Sequence, residues 1–380
     1  MVKILHTADI HLGAKFSGLG RSGDRLRARL KKTFMKTIDL ALEKNVDLLL
    51  ISGDLFNSNQ VSKATLGFAL GEIFRLGKIQ TCLIPGTHDC YDNSSIYRNI
   101  DPNSFPSNLH LLVDEENPFI FFEEFGTTVY GKGNRSSRSK ESPLPSLNQN
   151  FNSKYNIALA HGSFQIPSKS QEDDFPITLE EIEKSGFDYI ALGHWHSLQE
   201  VFKNPQTFYS GSPEQLKFGE KDSGNVLLVE LDGNQNRVEK VRIGELRWEV
   251  IELPEDRFKN SSEILREIEK YKGEQNILKV KLKGDQRLSS ASEIGSTGQD
   301  FSGLKEVLED QFLYLELEDE SHILLEELSS SKFPQHTVTG QFLRIMEEKI
   351  RIAEEENKGK YQEAKNLGYL LLSGKVQNAS

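Results

Sequence analysis

Five apolar runs of this chain stop on a carboxylate or an imidazole. They are Leu5-His6-Thr7-Ala8-Asp9-Ile10-His11, Leu50-Ile51-Ser52-Gly53-Asp54, Leu83-Ile84-Pro85-Gly86-Thr87-His88-Asp89, Ala158-Leu159-Ala160-His161 and Ala191-Leu192-Gly193-His194-Trp195-His196. Short aliphatic runs of this kind read as strands buried on both faces, which need a layer on each side. Open α/β sheets carry their sites at the ends of such strands. The chain is therefore expected to be α/β, with Asp and His gathered at one sheet edge.

Helical spacing separates the early runs. A strand over Val2–His6 precedes a helix over Leu26–Lys44, with apolar Leu30, Phe34, Ile38 and Ala41. A strand over Val46–Ser52, a helix over Ala64–Leu76 and a strand over Ile79–Ile84 continue the alternation. From Asn108 the helices stop, and strands at Leu109–Val113, Phe119–Phe122 and Thr127–Tyr130 suggest that a second layer begins. The polar tract Asn134–Lys154 reads as a surface loop. Strands follow at Asn156–Ala160, Phe187–Leu192, Thr207–Tyr209, Asn225–Leu231 and Val238–Arg242, with a helix over Thr178–Lys184.

Residues 1–248 make the first expected domain. A small α/β domain over 249–335 has a helix at Ser261–Tyr271, strands at Ile277–Leu282 and Phe312–Leu317, and a mobile Ser/Gly-rich loop, Arg287–Phe301. Residues 336–380 read as two terminal helices, Thr339–Glu355 and Lys360–Leu372, suited to packing on their own domain or docking a partner.

Several classes are excluded. No apolar run approaches the ~18 residues of a membrane span, and Met1-Val2-Lys3-Ile4 reaches an aspartate too soon for a signal peptide, so a cytoplasmic, membrane-free protein is expected. Two cysteines make neither a disulfide framework nor a thiolate zinc site; Cys82 reads as a strand residue and Cys90 as packing. A net charge of −11 restricts nucleic-acid binding to local patches. No Gly-x-x-x-x-Gly-Lys-Ser/Thr phosphate loop is present, so ATP hydrolysis by that route is not expected.

Carboxylates and imidazoles suit hard and borderline divalent cations, and a pair of ions needs a carboxylate that can bridge. Asp9 and His11, like His194 and His196, are one residue apart and can turn toward one point; Gly53 permits close approach beside Asp54. A single Gly-Asp or His-x-His is weak. The ordered set Asp-x-His, Gly-Asp, Gly-Thr-His-Asp, His-Gly and Gly-His-x-His is specific.

In that set the chain resembles the calcineurin-like metallophosphoesterases. Within them His6-Thr7-Ala8-Asp9-Ile10-His11-Leu12-Gly13, Gly53-Asp54-Leu55-Phe56-Asn57 and the Arg-rich segment before the first helix are similar to the DNA double-strand-break repair nucleases, including SbcD-type exonucleases. The resemblance is strong over residues 1–250 and extends beyond them by layout. It implies a four-layer αββα sandwich with a small α/β capping domain, a C-terminal helical tail and two divalent ions, usually manganese. Asp9, His11 and His196 would hold one ion, His161 and His194 the other, and Asp54 would bridge. Thr87 stands where the family usually has Asn, so unequal binding of the two ions is expected. His88, supported by Asp89, would contact the scissile phosphate while water attacks in line.

The implied substrate is DNA, held through its phosphates by Lys15, Arg21, Arg25, Arg27, Arg29 and Lys31, with Lys32 and Lys36 beyond them and Asp24 the only opposing charge in the stretch. The loop carrying Lys132, Arg135, Arg138 and Lys140 would add more. The implied partners are a coiled-coil ATPase on the C-terminal helices and a second copy joined through catalytic-domain helices. Two alternatives stay open. One is a small-molecule phosphodiesterase or phosphatase, although Leu55-Phe56-Asn57 replaces the Asp-Arg-Gly of protein phosphatases. The other is a DNA-end-binding scaffold with a weakened metal site.

Overall fold

Two six-stranded sheets take up the apolar runs. The computed structural model describes residues 1–101, 104–147, 153–166, 171–233, 236–254, 258, 261–288, 301–325, 328–334 and 336–372. The chain divides into two units, Met1–Trp248 and Glu249–Ser380.

In the first unit, β1 (Val2–Thr7), β2 (Leu48–Ser52), β3 (Gln80–Ile84) and β4 (Leu109–Leu111) run parallel. Beside β1, β11 (Asn225–Leu231) and β12 (Arg237–Arg242) complete the sheet antiparallel. The second sheet has the order β5-β6-β7-β8-β10-β9, where β5 is Phe119–Phe122, β6 Thr127–Gly131, β7 Tyr155–His161, β8 Tyr189–Gly193, β9 Gln199–Lys203 and β10 Gln206–Tyr209. Its inner strands are parallel and both edge strands antiparallel.

The alternation within each strand explains the layers. Leu48 and Leu50 of β2 join Cys82, Ile84, Ile157 and Leu159 in the core between the sheets. Leu49 and Ile51 face the other way, against helices α1 (Ser22–Lys44) and α2 (Lys63–Arg75). On the far side, Ile182 of α3 (Leu179–Lys184) packs with Ala158, Ala160, Ile190 and Leu192. Helices, sheet, sheet and helix thus form the expected αββα order.

Local chemistry fixes the helix ends. Asn45 adopts φ 49° and its N–H closes α1 onto Ala41 and Leu42. Ser62 accepts from Thr65 N to cap α2, and Thr178 and Glu181 form a capping box on α3. Phe34, fully buried under α1, is a position where truncation to Ala would cost about 3–5 kcal/mol.

One sequence expectation is corrected. The strand at Leu109 does not begin the second layer; it extends the first sheet beside β3, guided by Asn108, whose backbone carbonyl accepts from Thr81 N and whose side chain donates to Ile73 O and Ile79 O. The second sheet begins at Phe119. A further strand, β9, escapes a sequence reading because its residues are mostly exposed and show no apolar run.

A three-stranded sheet belongs to the second unit, apart from the first two residues of β13 (Arg247–Pro254); its other strands, β14 (Gly273–Leu288) and β15 (Phe312–Leu325), run parallel. Leu278, Val280 and Leu282 point into a core with Ile264 and Ile268 of the helix Ser261–Glu269 and with Leu308 of the helix Phe301–Leu308. Both long strands run past the expected limits. Alternating lysines on β14 meet glutamates across the sheet, as in Lys279–Glu316 at 3.2 Å and Lys281–Glu320 at 2.6 Å. The expected Ser/Gly-rich loop lies outside the described residues from 289 to 300. Helices Val338–Ile352 and Glu355–Leu372 pack around Leu343 and Leu370. Among the described residues no helix is long and apolar enough to cross a membrane.

Candidate metal centre

The ends of β1 and β2 are stitched together by their loops. Asp9 N donates to Gly53 O at 3.1 Å, and Ile10 N and His11 N both donate to Asp54 O, at 2.9 and 3.0 Å. These contacts require unusual backbone. Asp9, His11 and Asp54 have φ of 53°, 51° and 53°, and His194, after β8, has φ 105°. Non-glycine residues in such conformations persist only where surroundings over-determine them. At Gly53 a Cβ would lie 2.2 Å from His161 Nδ1, so this strand end can close over the imidazole only as glycine.

The bends bring donors together. Asp9, His11 and His196 form one group with ligand atoms within 4.8 Å of one another; Asp9, Asp54 and His161 form a second, and His11, Asp54 and His88 a third. Asp54 Oδ2 is 3.3 Å from His161 Nε2 and 3.8 Å from His11 Nε2, while His11 Nε2 and His196 Nε2 are 3.2 Å apart. Thr87 Oγ1 donates to Asp54 Oδ2 at 3.4 Å, and His88 N to Asp54 Oδ1 at 2.8 Å. His161 donates Nδ1–H to Ser52 O at 2.8 Å, leaving its buried Nε2 without a hydrogen-bond partner. Buried carboxylates facing unsatisfied imidazole nitrogens fit divalent cations.

The titration behaviour agrees. Burial alone would raise Asp54, but the charges of the facing imidazoles, His161 foremost, hold its carboxyl well below the usual range. Burial likewise opposes charge on His161, yet Asp54 and Asp9 raise it to about 9. Burial drives His11 well down.

Residues that carry no local sequence signal complete the site. Glu220 Oε1 holds His196 Nδ1, and Asp174 Oδ2 lies 3.0 Å from His194 Nε2. The two imidazoles of Gly-His-x-His are therefore held by opposite ring nitrogens, leaving Nε2 of His196 and Nδ1 of His194 for other partners. Ser212 Oγ donates to Asp9 O at 2.7 Å, and Asn134 Nδ2 to His161 O at 3.0 Å. His194, His196, His88, Trp195, Lys217 and Phe218 line a cleft of about 690 Å³.

Asp89 is not placed as expected. Fully buried, its carboxylate accepts from Gly86 N at 2.7 Å, Phe56 N at 3.0 Å and the Tyr97 hydroxyl at 2.5 Å. It closes the turn, and His88 Nδ1 instead meets Asn57 O at 3.1 Å. The two side chains share no partner, so Asp89 positions the loop rather than the His88 ring.

The basic stretch is also more neutralised than its sequence suggests. Glu245, distant in sequence, pairs with Arg29 at 2.7 Å, Lys32 at 3.3 Å and also Lys36. Arg27 pairs with Asp24, and Lys31 lies 5.3 Å from the centre of the Phe68 ring. Lys15, Arg21 and Arg25 are exposed and make no ion pair among the described residues. In the later loop Lys132, Arg135, Arg138 and Lys140 face Glu141, Glu115, Asp173 and Glu172.

Residues 2–198 match the family described as Calcineurin-like phosphoesterase. The chain is 27% identical over 276 residues to the uncharacterized metallophosphoesterase YhaO of Bacillus subtilis, covering 70% of this chain and 66% of that one. It is 26% identical over 278 residues to the DNA double-strand break repair protein Mre11 of Sulfurisphaera tokodaii, covering 70% and 69%. With a component of the nuclease SbcCD of Staphylococcus epidermidis the identity is 26% over 263 residues, covering 62% and 67%. The chain thus spans about two thirds of the length of these relatives.

Proposed function

The chain belongs to the calcineurin-like phosphoesterase family, and on that premise we propose that it is a manganese-dependent DNA nuclease of the double-strand-break repair type. The observation that carries the reading is the pair of donor groups sharing Asp9, one with His11 and His196, the other with Asp54 and His161. Relatives named as a repair protein and as part of a nuclease support the choice of DNA.

In this reading Asp9, His11 and His196 hold one ion, His161, His194 and Thr87 the other, and Asp54 serves both. When bound, the ions neutralise phosphate charge and lower the pKa of water. The chain's own residues do the rest. His88, with Nδ1 on Asn57 O, keeps Nε2 available to the scissile phosphate and the departing oxygen. Ser52 O and Glu220 keep His161 and His196 turned inward. Lys15, Arg21 and Arg25 take backbone phosphates of the duplex.

Residues 336–380 serve as the docking segment for a coiled-coil ATPase. Its helices expose Ile345, Ile352, Leu367 and Leu371 by 57%, 73%, 52% and 51%, which supports this role. A homodimer through catalytic-domain helices completes the assembly. Loss of ATPase capture on deleting 336–380 is the expected result.

The deciding experiment is a manganese-dependent assay on end-labelled duplex and hairpin DNA, with bis(p-nitrophenyl) phosphate and cyclic nucleotides alongside. DNA cleavage by the wild type, reduced about 10²–10⁴-fold in His88→Ala, is expected. Turnover of the small esters alone would assign a small-molecule phosphodiesterase instead.

A further inference from the structure

We infer that Lys217 and Phe218 form a subsite for one nucleotide of a nucleic-acid strand, the ammonium on a phosphate and the ring against its base. The inference rests on the phosphodiesterase reading of the same cleft. Both residues line the cleft into which His88, His194 and His196 open. Lys217 is exposed and makes no ion pair among the described residues.

The loop that carries them is tied down on both sides. Glu214, 1% exposed, accepts from Thr33 Oγ1 at 2.6 Å and Leu246 N at 2.8 Å. Gln215 Oε1 accepts from Trp248 N at 3.0 Å, and Trp248 Nε1 donates to Gln215 O at 2.9 Å. Beyond the pair, Glu220 accepts from Leu216 N at 2.8 Å with one oxygen and holds His196 with the other. Lys217 and Phe218 are thereby presented at a fixed offset from the donor groups.

The Phe218 ring meets Trp248 edge to face, with centroids 5.0 Å apart and planes at 83°, and remains only partly buried. Trp195, the other cleft aromatic, is already stacked on Tyr209 at 4.7 Å and 15°. A cation and an aromatic ring on consecutive residues match the two recurring features of a nucleotide, and stacking of this kind tolerates any base.

The test uses the full chain with manganese and phosphorothioate-linked single strands, so that cleavage does not intervene, read by fluorescence anisotropy. Each strand is compared with a version whose terminal nucleotides are abasic. The wild type is expected to prefer the intact strand about tenfold. Phe218→Leu, which keeps an apolar contact on Trp248, should lose that preference, and Phe218→Trp should keep it. Lys217→Ala should weaken both strands alike and lower the salt slope by about 0.7. Equal affinity of the wild type for intact and abasic strands, or preference retained in Phe218→Leu, overturns the subsite. If the wild type turns over bis(p-nitrophenyl) phosphate but binds neither strand, the DNA reading itself fails; if it cleaves DNA without preferring bases, the subsite alone fails.

Discussion

Glu220 grips the Nδ1 of His196 from a carboxylate only 4% exposed, and the opposite nitrogen of the same ring stands 3.2 Å from His11 Nε2. The pairing fixes the tautomer that leaves Nε2 as a ligand. Glu220→Ala should weaken metal binding at the Asp9, His11 and His196 group about 10–100-fold while leaving any ion held by Asp54 and His161 within a few-fold. Metal titration of the stripped protein measures both; equal weakening of both would indicate general disruption instead.

Metal binding should displace a proton. In the metal-free chain burial opposes the charge on His161, but Asp54 and Asp9 raise it to about 9, and an ion needs the neutral Nε2. Affinity should therefore climb about tenfold per pH unit below pH 9 and level off above it. Calorimetry in buffers of different ionisation enthalpy reads the released proton directly. A flat affinity between pH 6.5 and 8.5 would show that His161 carries no proton to displace in that range.

Thr87 Oγ1 reaches Asp54 Oδ2 at 3.4 Å from a half-buried position. An asparagine there would offer a longer amide oxygen. Thr87→Asn should tighten the weaker of the two sites by about tenfold, or 1.4 kcal/mol, in the same titration. Two equal sites in the wild type and in the variant would contradict this.

His6 makes stability fall in acid. Burial lowers its pKa from 6.5 to about 3, and its nitrogens lie 3.0 Å from the Tyr189 hydroxyl and 3.3 Å from Ser52 Oγ. Its contribution is complete above pH 6.5 and is lost as pH falls toward 3, because only the unfolded chain takes the proton in that window. The slope is about 1.4 kcal/mol per pH unit. Urea unfolding of wild type and His6→Gln between pH 6.5 and 4 should diverge by this slope; parallel curves would exclude it.

Arg25 should matter more to DNA than Arg29. Arg25 has no ion pair among the described residues, whereas Arg29 is 2.7 Å from Glu245. Arg25→Ala is expected to lower the log-log salt slope of duplex binding by about 0.9, and Arg29→Ala by less. Equal slopes for both variants would show that the Glu245 pair does not compete with phosphate.

The five loops were legible because parallel strands covered on both faces must be apolar nearly throughout, so the polar residue ending each run stands out. Asp9, His11, Asp54, His161, His194 and His196 could be found in this way. Glu220 and Asp174 could not: each lies in an irregular segment with no apolar run before it, Asp174 at the end of the acidic run Glu172-Asp173-Asp174, and its partner is a through-space matter. The misplacement of Asp89 has a related cause, since adjacency to His88 says nothing about side-chain direction within a turn. Glu245 cancels charge on α1 from more than two hundred residues away in sequence, beyond the reach of any local window.

The left-handed backbone at Asp9, His11, Asp54 and His194 sets fitness and robustness against each other. At these positions glycine would relieve the chain while deleting a donor. Selection for heat resistance alone, with no demand for catalysis, should therefore erode the centre first at these four residues. An evolved variant that gains melting temperature by losing Asp9 or Asp54 would be the signature of that conflict.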